Sequence, residues 1–215
     1  MIEKQPWDEV LAQATVELMP GWVQATKTVL DQVYVRYVER GGAALQEVVE
    51  KLDGPELLAE ALERSTLLEA AFMDGMDVAA RTSIDAKRRR LAQVITQAVL
   101  DDARVDEALL TVQVLRELDA PHLRALATIV RIEDEVIATY PNREATLDWT
   151  RWDDAVKQFK QEPFPVQAAL ARTGCVETPP NTFVLGGPVM KVATRFGREL
   201  LAHLREFASD GGTGF

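Results

Sequence analysis

The sequence predicts a mainly α protein: a helical bundle over residues 1–118, then a smaller α+β unit over 119–208 with a short β-hairpin, and a disordered tail over 209–215. Three observations carry this. Apolar residues recur at three- and four-residue spacing through most of the chain. Proline and glycine punctuate that pattern at Pro20-Gly21, Asp53-Gly54-Pro55, Ala120-Pro121 and Glu162-Pro163. Extended stretches bounded by proline and glycine are confined to the region between Cys175 and Val192.

Trp7, Val10, Leu11, Ala14 and Leu18 make the apolar stripe of a first amphipathic helix that Pro20-Gly21 stops. Trp22 to Arg40 forms the next helix, ending at Gly41-Gly42. One stripe holds Trp22, Val29, Val33 and Tyr37, and a second holds Val23, Leu30, Tyr34 and Val38. A helix apolar on two sides is either central in a core or part of a subunit interface. Its tail, VYVRYV, is rich enough in β-branched and aromatic residues to read as a strand instead. Ala43 to Leu52 is a short helix, Pro55 opens another running to about Phe72, and Met73 to Arg81 is a bend with a further helical turn.

Thr82 to Leu118 reads as a helical hairpin. In its first arm Ile84, Leu91, Val94, Ile95, Ala98 and Val99 face inward, which puts Lys87, Arg89, Arg90, Gln93 and Gln97 on a wet, basic face. Asp101, Asp102, Asp106 and Glu107 form an acidic corner suited to capping the second arm, whose stripe is Val105, Leu109, Val112, Leu115 and Leu118. Asp119-Ala120-Pro121 starts a further helix with Leu123, Leu126, Ile129, Val130, Ile132 and Val136 on its apolar face. After a loop at Tyr140 to Arg143, Asp148 to Lys160 and Val166 to Arg172 are helical, Gly174 closes the latter, and extended stretches follow. Thr194 then caps a final helix that buries Phe196, Leu200, Leu201, Leu204 and Phe207.

The formal charge of -10 is uneven. Residues 1–80 carry six basic and fifteen acidic groups, net -9, whereas 81–100 carry five and one, net +4. An acidic body disfavours generic binding to polyanions and anionic membranes. With a single cysteine, Cys175, an intrachain disulfide and a multi-cysteine zinc site are excluded. No apolar leader and no run of about eighteen apolar residues occurs, so a cytoplasmic protein with no membrane partner is expected.

The order helix, helix, short helix, β-hairpin, closing helix resembles a winged-helix domain. Its most specific segment is ALARTGCVETPPNTFVLGGPVMKVATRFGRELLAHLREF, including the phrase Thr194-Arg195-Phe196-Gly197-Arg198. The whole chain is similar to uncharacterised bacterial proteins that join a helical N-terminal region to such a module, a resemblance that supplies no activity. It implies a recognition helix at Val166 to Arg172, a wing at Pro179 to Pro188, and nucleic-acid binding. The recognition helix departs from that expectation: Gln167 and Arg172 are its only side chains suited to bases or phosphates, and the wing tip has no basic residue.

The nucleic-acid or partner contacts predicted on these grounds are Lys87, Arg88, Arg89, Arg90, Gln167, Arg172, Lys191, Arg195 and Arg198, and the predicted dimer interface is Trp22, Val29, Leu30, Val33 and Tyr37. No catalytic, metal or cofactor site is predicted. The acidic corner lacks the alternating ligands and turn glycine of a calcium loop, Glu56, Glu60 and Glu63 have no Glu-x-x-His partner, and His122 and His203 stand outside any motif. The leading expectation is a non-enzymatic, homodimeric regulator or adaptor with a protein partner. A winged-helix DNA-binding regulator is the alternative, and an enzyme with an acidic metal site the third reading.

Overall fold

In the computed structural model the described residues are 20–139, 159–177 and 192–211, and the side chains of 20–28 and of the last few helical residues lie outside the description. The expected helix from Trp7 to Met19, the loop at Tyr140 to Arg143, the wing from Pro179 to Pro188, Lys191 and residues 212–215 also lie outside it, as does most of the helix predicted over Asp148 to Lys160.

The described chain is mainly helical: α1 (Pro20–Lys51), α2 (Pro55–Arg64), α3 (Thr66–Arg81), α4 (Asp85–Leu100), a 3-10 turn (Asp102–Arg104), α5 (Val105–Glu117), α6 (Ala120–Thr139), α7 (Phe164–Arg172), β1 (Val176–Glu177), β2 (Val192–Ala193) and α8 (Arg195–Gly211). β1 and β2 pair antiparallel, Val176 opposite Ala193 and Glu177 opposite Val192.

Three boundaries differ from expectation, each for a physical reason. The VYVRYV segment is helical, as the helix expected over Trp22 to Arg40 has it, but α1 runs unbroken through Gly41-Gly42 instead of ending there. A Cβ on Gly41 would meet Ala80 Cβ at 3.4 Å, an ordinary contact; α1 continues through the two glycines because its packing on α3 and α4 outweighs their low helix propensity. The helix expected from Pro55 to Phe72 is interrupted at Ser65, which is extended and accepts a bond from the Leu68 N–H at 3.2 Å; a serine hydroxyl satisfies an orphan amide better at a helix start than in a helix interior. The bend expected at Met73 to Arg81 is regular helix, with Gly75 buried against Ile95 and Val112.

The Asp53-Gly54 break and the Gly174 stop share one solution. At each, the last turn closes with a pair of reversed bonds: Gly54 N–H to Val49 O at 3.1 Å with Asp53 N–H to Glu50 O at 3.4 Å, and Cys175 N–H to Leu170 O at 3.0 Å with Gly174 N–H to Ala171 O at 3.2 Å. The residue that turns the chain is left-handed, Asp53 at φ 56 and Gly174 at φ 71.

Around α4 the packing is dense. This helix touches α1, α2, α3, α5 and α8, and ten of its sixteen residues are buried. One apolar cluster runs from Ala44 and Val48 through Leu91, Ile95 and Val112 to Leu123, Leu170, Leu201 and Leu204. The boundary expected at 118/119 falls inside it, since Leu118 and Leu123 are both 0% exposed. Phe196, expected in the core, is 38% exposed; at the start of α8 it precedes the buried Leu200-Leu201 pair by a full turn.

Candidate functional site

The wet, basic face expected on α4 is divided by the fold. Lys87 is 2% exposed, and its Nζ donates to the Leu118 carbonyl at 2.8 Å and faces Asp119 Oδ1 at 3.4 Å. Burial drives the Lys87 pKa down, and Asp119 opposes that shift. Arg90 is also buried and donates to Gln93 Oε1 at 2.7 Å, while its Nε has no partner among the described residues. Its pKa is lowered by burial, against the attraction of Glu107 and Glu206.

Arg88 and Arg89 are intermediate, their side chains 19% and 34% exposed, and both clasp Asp85, at 2.7 and 3.0 Å. Arg88 also donates to the Thr82 carbonyl at 3.2 Å. The α4 cations therefore do not form one continuous phosphate-gripping surface, because two of the four side chains point into the protein.

The residues predicted at the second unit are likewise engaged within the chain. Gln167 Nε2 donates to the Glu162 carbonyl at 2.7 Å. Arg172 holds Glu117 of α5 through Nε at 2.8 Å and a terminal nitrogen at 2.7 Å. Arg195, whose side chain is 93% exposed, pairs with Glu199 at 2.7 Å. Arg198 bonds Glu133 and, at 2.7 Å, Asp134.

The phrase Thr194-Arg195-Phe196-Gly197-Arg198 is structural at three of its five positions. Thr194 Oγ1 accepts the Gly197 N–H at 3.0 Å, capping α8, and donates to the Gly174 carbonyl at 2.6 Å. Gly197 lies against the backbone leaving α7, where a Cβ would meet Cys175 O at 2.3 Å. Arg198 reaches Glu133 of α6, a residue 3% exposed whose other oxygen accepts the Ala193 N–H at 2.7 Å. Glu133 thus ties α6, β2 and α8 together. Burial raises its pKa, and the Ala193 amide and Arg198 hold it back.

Neither the Glu133 anchor nor the inward turn of Lys87 was foreseen. Glu133 follows Leu126, Ile129 and Val130 at helical spacing, which placed it on the apolar face of α6. The same spacing sets Lys87 between Ile84 and Leu91; only its charge argued for the outside. His122, outside any motif, has a capping role: its Nδ1 accepts the Asp119 N–H at 2.9 Å, the reciprocal bond of a capping box. Cys175 is buried, and burial raises its thiol pKa.

Among the predicted interface residues, Val29 and Val33 are 58% and 56% exposed. Leu30 is half-buried, and Tyr37 donates its hydroxyl to Asp77 at 3.2 Å, tying it to its own α3. The Trp22 side chain lies outside the described residues. Val35 and Val38, on the other flank of α1, are 52% and 51% exposed.

Among the described residues no three His, Cys, Asp or Glu side chains gather as metal ligands, and no helix is long and apolar enough to cross a membrane. Comparison with protein-family models, curated proteins and solved structures returns no match.

Proposed function

We propose that this protein is a non-enzymatic, bacterial, cytoplasmic regulator or adaptor. Two copies pair through the first half of α1, and the unit over 119–208, a winged-helix-like module, meets another protein. The observation that carries the reading is the pair of exposed apolar side chains Val29 and Val33, one turn apart on one face of α1. Valines so closely grouped in water favour association, because burial removes their apolar surface from solvent. A second copy presents the same face, so a two-fold pairing is self-complementary.

The preference for a protein over DNA rests on the basic candidates. Every one of Lys87, Arg88, Arg89, Arg90, Gln167, Arg172, Arg195 and Arg198 has an intramolecular polar partner. A phosphate would have to displace carboxylates already held by most of the arginines, against an acidic body.

Light scattering of the full chain at tens of micromolar tests the pairing. The expected result is a dimer that Val29→Glu with Val33→Glu converts to monomer while the thermal midpoint of the monomer is retained. A wild-type monomer overturns the pairing. If that monomer also unfolds earlier when Val33 becomes Glu, that face is covered within its own chain.

A further inference from the structure

Beside the buried amine of Lys87 is a pocket of about 230 Å³ lined by Asp77, Val78, Arg81, Thr82, Lys87, Arg116 and Asp119. Its walls come from the end of α3, the start of α4, the end of α5 and the residue that opens α6. Three cations and two carboxylates share this lining, a local charge of +1.

We propose that this pocket binds a small organic monoanion through its carboxylate, with Arg81, Arg116 and Lys87 as donors. The proposal is independent of how α1 pairs.

Several features converge on that ligand. An ammonium has three donors, and Lys87 meets one acceptor at 2.8 Å and a second only at 3.4 Å. No described residue supplies a third. A buried cation with donors to spare on the wall of a crevice is suited to an added oxygen acceptor. Its lowered pKa fits the same environment.

Both arginines have exchangeable partners. Arg81 pairs with Asp77 at 2.9 Å with its side chain 73% exposed, and Arg116 pairs with Asp74 at 2.7 Å with its side chain 47% exposed. Exposed ion pairs of this kind are weak, so a carboxylate can replace either partner at little cost. A guanidinium takes a carboxylate through two parallel bonds.

Size and charge narrow the class. The volume is below the roughly 300–1,000 Å³ of drug-sized sites, which suits a ligand of few heavy atoms. Asp77 and Asp119 on the same wall repel a dianion, so a monocarboxylate is favoured over phosphate or a dicarboxylate. The site joins α3, α4, α5 and α6, so occupancy would brace the junction between the two predicted units.

Titration of the full chain with acetate, pyruvate, succinate and inorganic phosphate, followed by amide chemical shifts at constant ionic strength, tests the assignment. The expected result is saturable movement of the Thr82, Lys87 and Arg116 signals with acetate or pyruvate, and weaker binding of succinate and phosphate. Arg116→Gln and Arg81→Gln, changes at exposed side chains, are each expected to weaken binding about tenfold, the loss of one charge-assisted contact. Lys87→Met should abolish it. Absence of saturable shifts in the wild type, shifts unchanged in both arginine variants, or tighter binding of phosphate than of acetate would each overturn the proposal.

Discussion

The ammonium of Lys87 donates to the carbonyl of Leu118 across 2.8 Å, with 31 residues of chain between them. It binds the first turn of α4 to the point where α5 ends and α6 begins. The sequence stretch with the densest positive charge therefore works partly as an internal fastening. Desolvating the amine opposes that contact, and burial accordingly lowers the pKa below its ordinary 10.5.

That balance sets the outcome at Lys87. Methionine fills most of the same space without a charge, so Lys87→Met is expected to change stability by only about 1 kcal/mol at neutral pH. Lys87→Ala opens a cavity and should cost about 2–4 kcal/mol. The sign of the pH effect follows from the lowered pKa. Between the folded value and 10.5 the unfolded chain holds the proton that the folded chain has lost, so native stability rises with pH across that interval. Urea midpoints taken upward toward pH 10.5 should therefore rise for wild type relative to Lys87→Met.

Two glycines are expected to respond with opposite signs. At Gly197 an added Cβ would stand 2.3 Å from Cys175 O, which is backbone and cannot swing away. Gly197→Ala should cost about 2–3 kcal/mol by displacing α8 from the turn after α7. Gly42 lies within α1, and a Cβ there meets nothing within 4 Å among the described residues. Gly42→Ala should stabilise by about 0.5–1 kcal/mol, the ordinary helix preference for alanine. Thermal melts of the two variants separate a close approach from a mere lapse in propensity.

Much of the helical order was legible because period and punctuation agreed, as at the Asp53-Gly54 break, the Gly174 stop and the Thr194 cap. The errors arose where one residue type carries two meanings. Gly41 and Gly75 read as breaks but lie inside helices held by tertiary packing, and Ser65 stands within an apolar pattern although its hydroxyl caps α3. Charge misled at Lys87 and Arg90, whose positions in the periodicity were compatible with burial, and Glu133 drew no reading at all. The partners of Lys87 and Glu133 lie far along the chain, Leu118 and Arg198, and a local pattern contains no information about such pairings. For that reason the candidate site was less legible than the fold.

The basic run should divide energetically by burial. Arg89→Ala removes a partly exposed pair with Asp85 and should change stability by about 0.5 kcal/mol or less; Arg88→Ala, at a side chain 19% exposed that also bonds the Thr82 carbonyl, should cost about 1 kcal/mol. Arg90 is 9% exposed, with its stem packed inside, so Arg90→Ala should cost more than about 1 kcal/mol through lost packing. A test of nucleic-acid contact should accordingly use the Arg88/Arg89 double variant, in which the fold is retained. Titration with duplex DNA at low salt is expected to give the same absent or weak response for wild type and that variant.

Arg198 offers a test of the second buried charge. Glu133 is enclosed by α6, β2 and α8, and its raised pKa reflects burial that the Ala193 amide and Arg198 only partly counter. Removing the guanidinium in Arg198→Ala leaves the carboxylate with the Ala193 amide as its remaining partner. Loss of one partner from a fully buried pair costs about 3–5 kcal/mol; because the Arg198 side chain is 32% exposed, about 2–3 kcal/mol is expected here. The penalty applies while Glu133 is ionised, and the variant's folded pKa lies still further above the unfolded value. As pH falls through that folded pKa, the native state takes up a proton before the unfolded state does, so the variant recovers stability relative to wild type. Denaturation of both proteins from neutral to mildly acidic pH should show the gap narrowing. A gap independent of pH would mean that Arg198 stabilises the unit through packing rather than through the charge of Glu133.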